Sequence, residues 1–197
     1  MKKTQLRLAV AAALGTMFAT RTHAEDVAYG FRMGAGSPGD VNRTHPVSII
    51  PGLLNTSVQS PRLFGDPVLV DTATNSYRGI TATDTTTPMT IDGVLVRPYP
   101  TQQTSGGMSS SFGVGAPAAN QPCDVIETGY VMVKVNFGGQ PTKKGAVYIW
   151  IAASSGNHVQ GGFEATPGAN LVLVTNAFFN GPPDANGITE LRIAAQL

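Results

Sequence analysis

The sequence predicts an all-β domain with long loops, on three observations. Short runs rich in Val, Ile, Tyr, Phe and Trp recur along the chain, the types that suit a pleated, half-buried surface. Turn-formers are abundant, with 23 Gly and 14 Pro in 197 residues, and only 13% of residues are charged, well below the roughly 25% of average soluble chains. After residue 26 no segment of any length shows the apolar spacing of an amphipathic helix. The clearest pair of runs is Gly129-Tyr-Val-Met-Val-Lys-Val-Asn-Phe137 and Gly145-Ala-Val-Tyr-Ile-Trp-Ile-Ala-Ala153. With Gly138-Gly139-Gln140-Pro141 and Lys143-Lys144 between them, they read as a β-hairpin. In the first run Val131, Val133, Val135 and Phe137 make a uniformly apolar face, and Tyr130, Met132, Lys134 and Asn136 a mixed one.

The N-terminal residues 1–26 stand apart from the domain that follows, 27–197. Lys2, Lys3 and Arg7 precede an apolar run from Leu8 to Ala19, and Thr22-His-Ala24 closes the segment, which is the layout of a secretory signal. The run is too short to cross a membrane, which takes about 20 residues. The other reading is an uncleaved arm that docks on a neighbouring subunit. Extended, some 24 residues reach at most about 80–86 Å; helical, they reach about 36 Å.

Beyond the extension, Gly34-Ala-Gly36-Ser-Pro-Gly39 matches the dinucleotide fingerprint in letters alone. Pro38, Pro46 and Pro51 leave no room for the helix that the fingerprint opens, so the glycines read as a loop in which backbone approaches backbone. Ser48-Ile-Ile-Pro-Gly52 leads into a polar connection, and short strands are predicted around Pro67–Asp71, Tyr77–Ile80 and Ile91–Arg97, the last stopped by Pro98 and Pro100. Thr101 to Pro122 is low in complexity and reads as a long loop. After the hairpin come Asn157–Glu164, Asn170–Phe179 and Ile188–Ala194, with Pro182-Pro-Asp-Ala-Asn-Gly187 turning between the last two. The total is about eight to ten strands.

Several function classes fall away on composition. With 13 Lys+Arg against 12 Asp+Glu the net charge is +1, too small a field for phosphate neutralisation, so no nucleic-acid partner is expected. Cys123 is alone and reads as a buried core thiol. The nucleophile elbow GxSxG is missing, and His23, His45 and His158 are scattered and read as solvated or capping residues. Asp184-Ala-Asn186-Gly187 resembles part of a calcium loop but lacks the later ligands. Asp124, Glu127 and Glu164 offer carboxylates that sequence alone cannot pair. No catalytic, cofactor-binding or metal-ligating set emerges, and the chain reads as a non-enzyme. Asn42-Arg-Thr44 and Asn55-Thr-Ser57 match the glycosylation sequon, which matters only in a eukaryotic secretory setting.

At Tyr29-Gly-Phe-Arg-Met-Gly-Ala-Gly-Ser-Pro-Gly-Asp-Val-Asn-Arg43 the chain resembles the structural cement proteins of tailed bacteriophages. The resemblance continues in order through Gly93–Thr101, Gly129–Asn136, Lys144–Tyr148, Gly161–Ala165 and Thr175–Gly187, and covers about residues 27 to 197. It implies a compact antiparallel β-barrel or jelly-roll-like sandwich on the outer capsid surface of the virion, assembled in the host cytoplasm. The implied partners are the major capsid protein and the chain itself, as a homo-oligomer with a dimer favoured; no catalytic residue, cofactor or membrane is implied. Tyr29, Phe31, Arg32, Asp40 and Arg43 are the candidate partner interface, being mostly the aromatic and Arg types that anchor interfaces. For the two aromatics, core packing is the competing reading. Residues 1–26 depart from the family pattern, and the alternative to a capsid role is an exported bacterial β-sandwich of the adhesin kind, with a cleaved signal.

Overall fold

The computed structural model describes residues 36–55, 63–97, 122–137 and 139–194. The extension 1–26, the candidates Tyr29, Phe31 and Arg32, the long loop up to Gln121 and the side chain of Phe137 lie outside the described residues. Among the described residues there are nine strands: β1 (Ser48–Leu53), β2 (Pro67–Asp71), β3 (Ser76–Arg78), β4 (Gly93–Val96), β5 (Pro122–Phe137), β6 (Gly145–Trp150), β7 (Phe163–Glu164), β8 (Leu171–Phe179) and β9 (Ile188–Ile193). Among the described residues there is no helix, so the fold is all-β as expected.

β5 is 16 residues long and belongs to two layers at once. Its C-terminal half, from Gly129 on, pairs antiparallel with β9, which pairs with β8, which pairs with β6. β7 closes the circuit, lying antiparallel to β6 and parallel to β5, so five strands form a barrel-like ring. Its N-terminal half, up to Thr128, lies between β1 and β4, and β4 leads to β2 and β3. This second sheet curls back on itself, because Leu54, just past β1, bridges to Tyr77 of β3.

The predicted hairpin does not form. β5 and β6 are not neighbours, because the two residues of β7 are wedged between them, Val135 facing Phe163 and Tyr148 facing Glu164. Seven connecting residues with a turn at Thr142–Gly145 carry the chain away from β5 instead of folding it straight back. The alternation itself holds. Val131, Val133 and Val135 are buried in the main core with Val147, Ile149, Phe163 and Phe179, while Lys134 is exposed.

Met132, placed on the mixed face, is buried too. Residues 36–41 lie along β5 at that point: Gly39 N donates to Met132 O at 2.7 Å and Met132 N to Asp40 O at 2.9 Å, and Val41 bridges to Val131. Here the expectation that glycines let backbone approach backbone is met. Gly39, at φ +87°, carries no Cβ where one would fall 2.7 Å from Phe64 Cβ and 3.1 Å from Gly65 N.

A smaller core fills the second sheet, with Leu54, Val68, Tyr77, Leu95, Cys123 and Val125. The lone cysteine is buried as predicted, and burial, aided by the neighbouring Asp124 charge, pushes its thiol up to about 11, far from the reactive thiolate range. β4 separates the two cores and is buried on both faces, Val94 and Val96 in the larger cluster and Leu95 in the smaller.

Gly129 is the pivot at which β5 passes from one layer to the other. Its φ is +139°, and an added Cβ would meet Ile126 Cδ1 and Pro46 O at 2.9 Å. Gly129→Ala is expected to destabilise the protein by about 1–3 kcal/mol through backbone strain and that clash, read as a lower denaturation midpoint at unchanged slope.

Candidate interaction surface

Burial is uneven on the second sheet. β1 pairs with β5 along one edge, yet it is exposed at five of its six positions. Val47, Ile49, Ile50 and Leu53 are 37–45% exposed and make up four of the seven large hydrophobics left exposed among the described residues. Gly52 lies against the Tyr77 ring, where a Cβ would fall 2.4 Å from Cε2, so that end of β1 is pinned on the small core. From Pro46 to Leu54 the sequence carries no charge. An exposed, uncharged, apolar edge strand is a template for another chain, and soluble proteins ordinarily guard such edges with charge. β1 was not singled out as a strand from the sequence, although its uncharged apolar run was visible there.

Asp40 and Arg43, the two described members of the predicted interface, both lie where the 36–43 segment crosses β5, but they do different things. Asp40 closes its own turn, accepting from Ser37 N at 2.8 Å, and its other oxygen is 3.7 Å from Arg97 Nε. Arg97 Nε also donates to Pro38 O at 2.9 Å, which fastens the segment to the end of β4. Arg43 reaches β9: its Nε and Nη2 donate to the two oxygens of Glu190 at 2.9 and 2.8 Å. The guanidinium lies 4.2 Å over the Tyr130 ring, and Arg192 stands over both Tyr130 and Phe178 at 5.8 and 5.4 Å.

Asn42 and Asn180 also donate to Glu190. Burial alone would raise that carboxyl, but the donors from Arg43, Asn180 and Asn42 outweigh it and hold it below its ordinary range. The Arg43 side chain remains 48% exposed, so a rigid cation-and-aromatic patch faces outward.

His158 is not a solvated turn residue. Its Nδ1 stands 2.7 Å from Glu164 Oε1, and its ring stacks on Trp150 with centroids 4.0 Å apart and 17° between planes. Glu164 is fully buried, and its Oε2 has no hydrogen-bond partner among the described residues. Asp184, the residue that suggested a calcium loop, instead closes its turn by accepting from Asn186 N and Ile188 N at 2.8 and 2.9 Å. Among the described residues, no three His, Cys, Asp or Glu are grouped to hold a metal ion.

An all-β domain whose described residues expose an apolar strand and a cation-and-aromatic patch has the surface of a protein that works by contact with other proteins. The chain belongs to the XM1 gp53 minor capsid protein family, whose model matches residues 27–193. It is accordingly a phage capsid-associated structural protein, and its place is the virion. A solved chain from the capsid of Myoviridae phage XM1 is similar in fold at 21% identity, with a TM-score of 0.58 over 81% of this chain and 91% of that chain. No curated protein matches. The resemblance read from the blocks between Tyr29 and Gly187 therefore pointed to the right kind of family.

Two expectations follow for these side chains. His158→Ala strips the buried Glu164 carboxyl of its partner and is expected to cost about 2–3 kcal/mol, below the roughly 3–5 of a fully buried pair because the His158 side chain is 26% exposed; chemical denaturation measures it. Glu190 is depressed on folding, so its contribution is complete above the ordinary carboxylate range and is lost as pH falls through the lower folded value. Glu190→Gln should lower stability by about 1 kcal/mol at pH 7, with the gap to the parent closing as pH falls below the ordinary carboxylate range in a pH series of unfolding curves.

Proposed function

We propose that this chain is a cement, or decoration, protein that binds the outer surface of the major capsid protein lattice and stabilises the shell across the seams between capsomers. The observation that carries the reading is an uncharged apolar strand exposed among the described residues of a member of a minor capsid protein family. A shell filled with DNA is under outward load, and a clamp resists it by burying surface across a seam, with no chemistry required. A protein that binds only the assembled lattice stabilises each site by RT ln(1 + [L]/Kd), and the gain repeats at every site.

In this reading residues 27–197 form the clamp and residues 1–26 an arm that reaches toward a neighbouring capsomer. Arg43 belongs to the contact surface together with Tyr29, Phe31 and Arg32. Its guanidinium is already ordered by Glu190 and Tyr130, so docking costs little side-chain entropy. Asp40 acts at the same surface by holding the turn that presents Arg43. The clamp is a homo-oligomer, a dimer in the simplest symmetric case.

Particles assembled with and without the protein test this. Particles lacking it are expected to release DNA at lower temperature and after osmotic shock, and added protein should restore them. Equal robustness of the two preparations would remove the cement role.

A further inference from the structure

We infer that the outer face of β9 carries a carboxylate seat built around Arg192, which takes an Asp or Glu side chain of the capsid protein. The inference rests on the capsid-contact reading above and names the chemistry of that contact. β9 runs between β5 and β8, and Arg192 lies directly opposite Tyr130 on one side and Phe178 on the other. Residues opposite one another in an antiparallel pair share a face, so the guanidinium stands in one row with two aromatic rings. Their centroids are 5.8 and 5.4 Å from it, within the range of cation–π attraction.

The charges of this face do not balance. Arg43, Arg78 and Arg97 each have a carboxylate of this chain within ion-pair distance. Half-buried Arg192 has neither an ion pair nor a side-chain hydrogen bond among the described residues. The acid two positions away on the same face is Glu190, and both its oxygens are engaged, Oε1 by Arg43 Nε and Asn42 and Oε2 by Arg43 Nη2 and Asn180. Two guanidiniums therefore lie over the Tyr130 ring while one carboxylate serves them, and the uncompensated positive charge is held in a fixed place.

Aromatic contact engages the faces of a guanidinium and leaves its edge N–H groups to donate, and that planar fork matches the two oxygens of a carboxylate. A polyanion fits poorly, because a net charge of +1 offers no extended field. The rings add apolar surface around the charge, and Arg beside Tyr is the make-up of strong interface anchors. Held between rings, Arg192 has little side-chain freedom left to lose on docking. Among this chain's own acids only Glu25 and Asp26 lie outside the described residues, so they are the competing occupants. The family match opens at residue 27, past both of them, which favours an acid from the partner.

The test titrates particles lacking the protein with the full chain and measures bound protein by co-sedimentation. Arg192→Gln should weaken binding about tenfold or more, as expected for one lost charge-assisted pair, with a denaturation midpoint close to the parent's. Added salt should weaken the parent more than the Arg192→Gln variant, a difference that a packing role for Arg192 would not produce. Lys134→Gln removes an exposed cation elsewhere on β5 and should bind within about twofold of the parent. Arg192→Lys gives a positive readout. A carbodiimide joins an amine to a carboxylate in contact with it as an amide, taking up the water lost as a urea. On particles it should couple position 192 to an Asp or Glu of the capsid protein, identified by mass spectrometry of the digest.

Equal binding by the parent and Arg192→Gln, or no coupling at position 192, overturns the inference and leaves the cement reading standing. Coupling to Glu25 or Asp26, or to any acid of a second copy, gives the seat another occupant and also overturns it. A parent that does not bind particles sinks the cement reading, and this inference with it.

Discussion

Everything in this fold depends on one strand serving two sheets. β5 supplies backbone partners to β1 and β4 before Gly129 and to β9 and β7 after it. A strand has two edges, so a segment shared in this way is saturated along most of its length, and neither layer can leave without exposing the other's backbone groups. Gly129 makes the sharing possible by turning the strand where a side chain would strike Pro46 O. The two cores sit on the opposite faces of β4, which is why that short strand is buried on both sides.

Elsewhere, segments that are not strands in their own right cover strand backbone. Residues 36–41 lie along β5 at Met132, and Met89 lies against β8, with Met89 N donating to Leu173 O at 2.8 Å and Thr175 N to Met89 O at 2.9 Å. Asn176 completes that attachment with both sides of its amide, one to Ile91 N and one to Ile91 O. Such lids blunt the edges that would otherwise recruit other chains. Against that background β1 is conspicuous, because among the described residues the flanking Val47 and three of its own side chains, Ile49, Ile50 and Leu53, stay exposed.

Charge is used sparingly and locally. Arg43 with Glu190, Arg78 with Asp84 and Arg97 with Asp40 each tie one segment to another. The His158–Glu164 pair does the same for the loop over β7, with one Glu164 oxygen buried and without a hydrogen-bond partner among the described residues. A member of a minor capsid protein family works within a lattice of other proteins, and a surface of low charge allows close approach without a large desolvation cost.

What the sequence determined by itself were the properties that depend on near neighbours. The period-two alternation of Val131, Val133 and Val135 shows which face is buried, because side-chain direction in a strand is a local property. The same holds for the close approach at Gly39, the burial of Cys123, the strand content and the ordered blocks that point to a phage capsid-associated family. What only the tertiary structure decided is who pairs with whom. β7 enters between β5 and β6 with two residues, too few to leave a periodic signal, and so the hairpin that local pattern suggests is replaced by a ring. His158 acquires Glu164 and Trp150 only because that ring brings the loop back over β6, and Arg43 acquires Glu190 across 147 positions of sequence. The apolar run of β1 was on view throughout, but an apolar run reads as core until the fold shows that nothing among the described residues covers it. Pairing is a contest among distant segments for backbone partners, and local sequence carries no record of the winner.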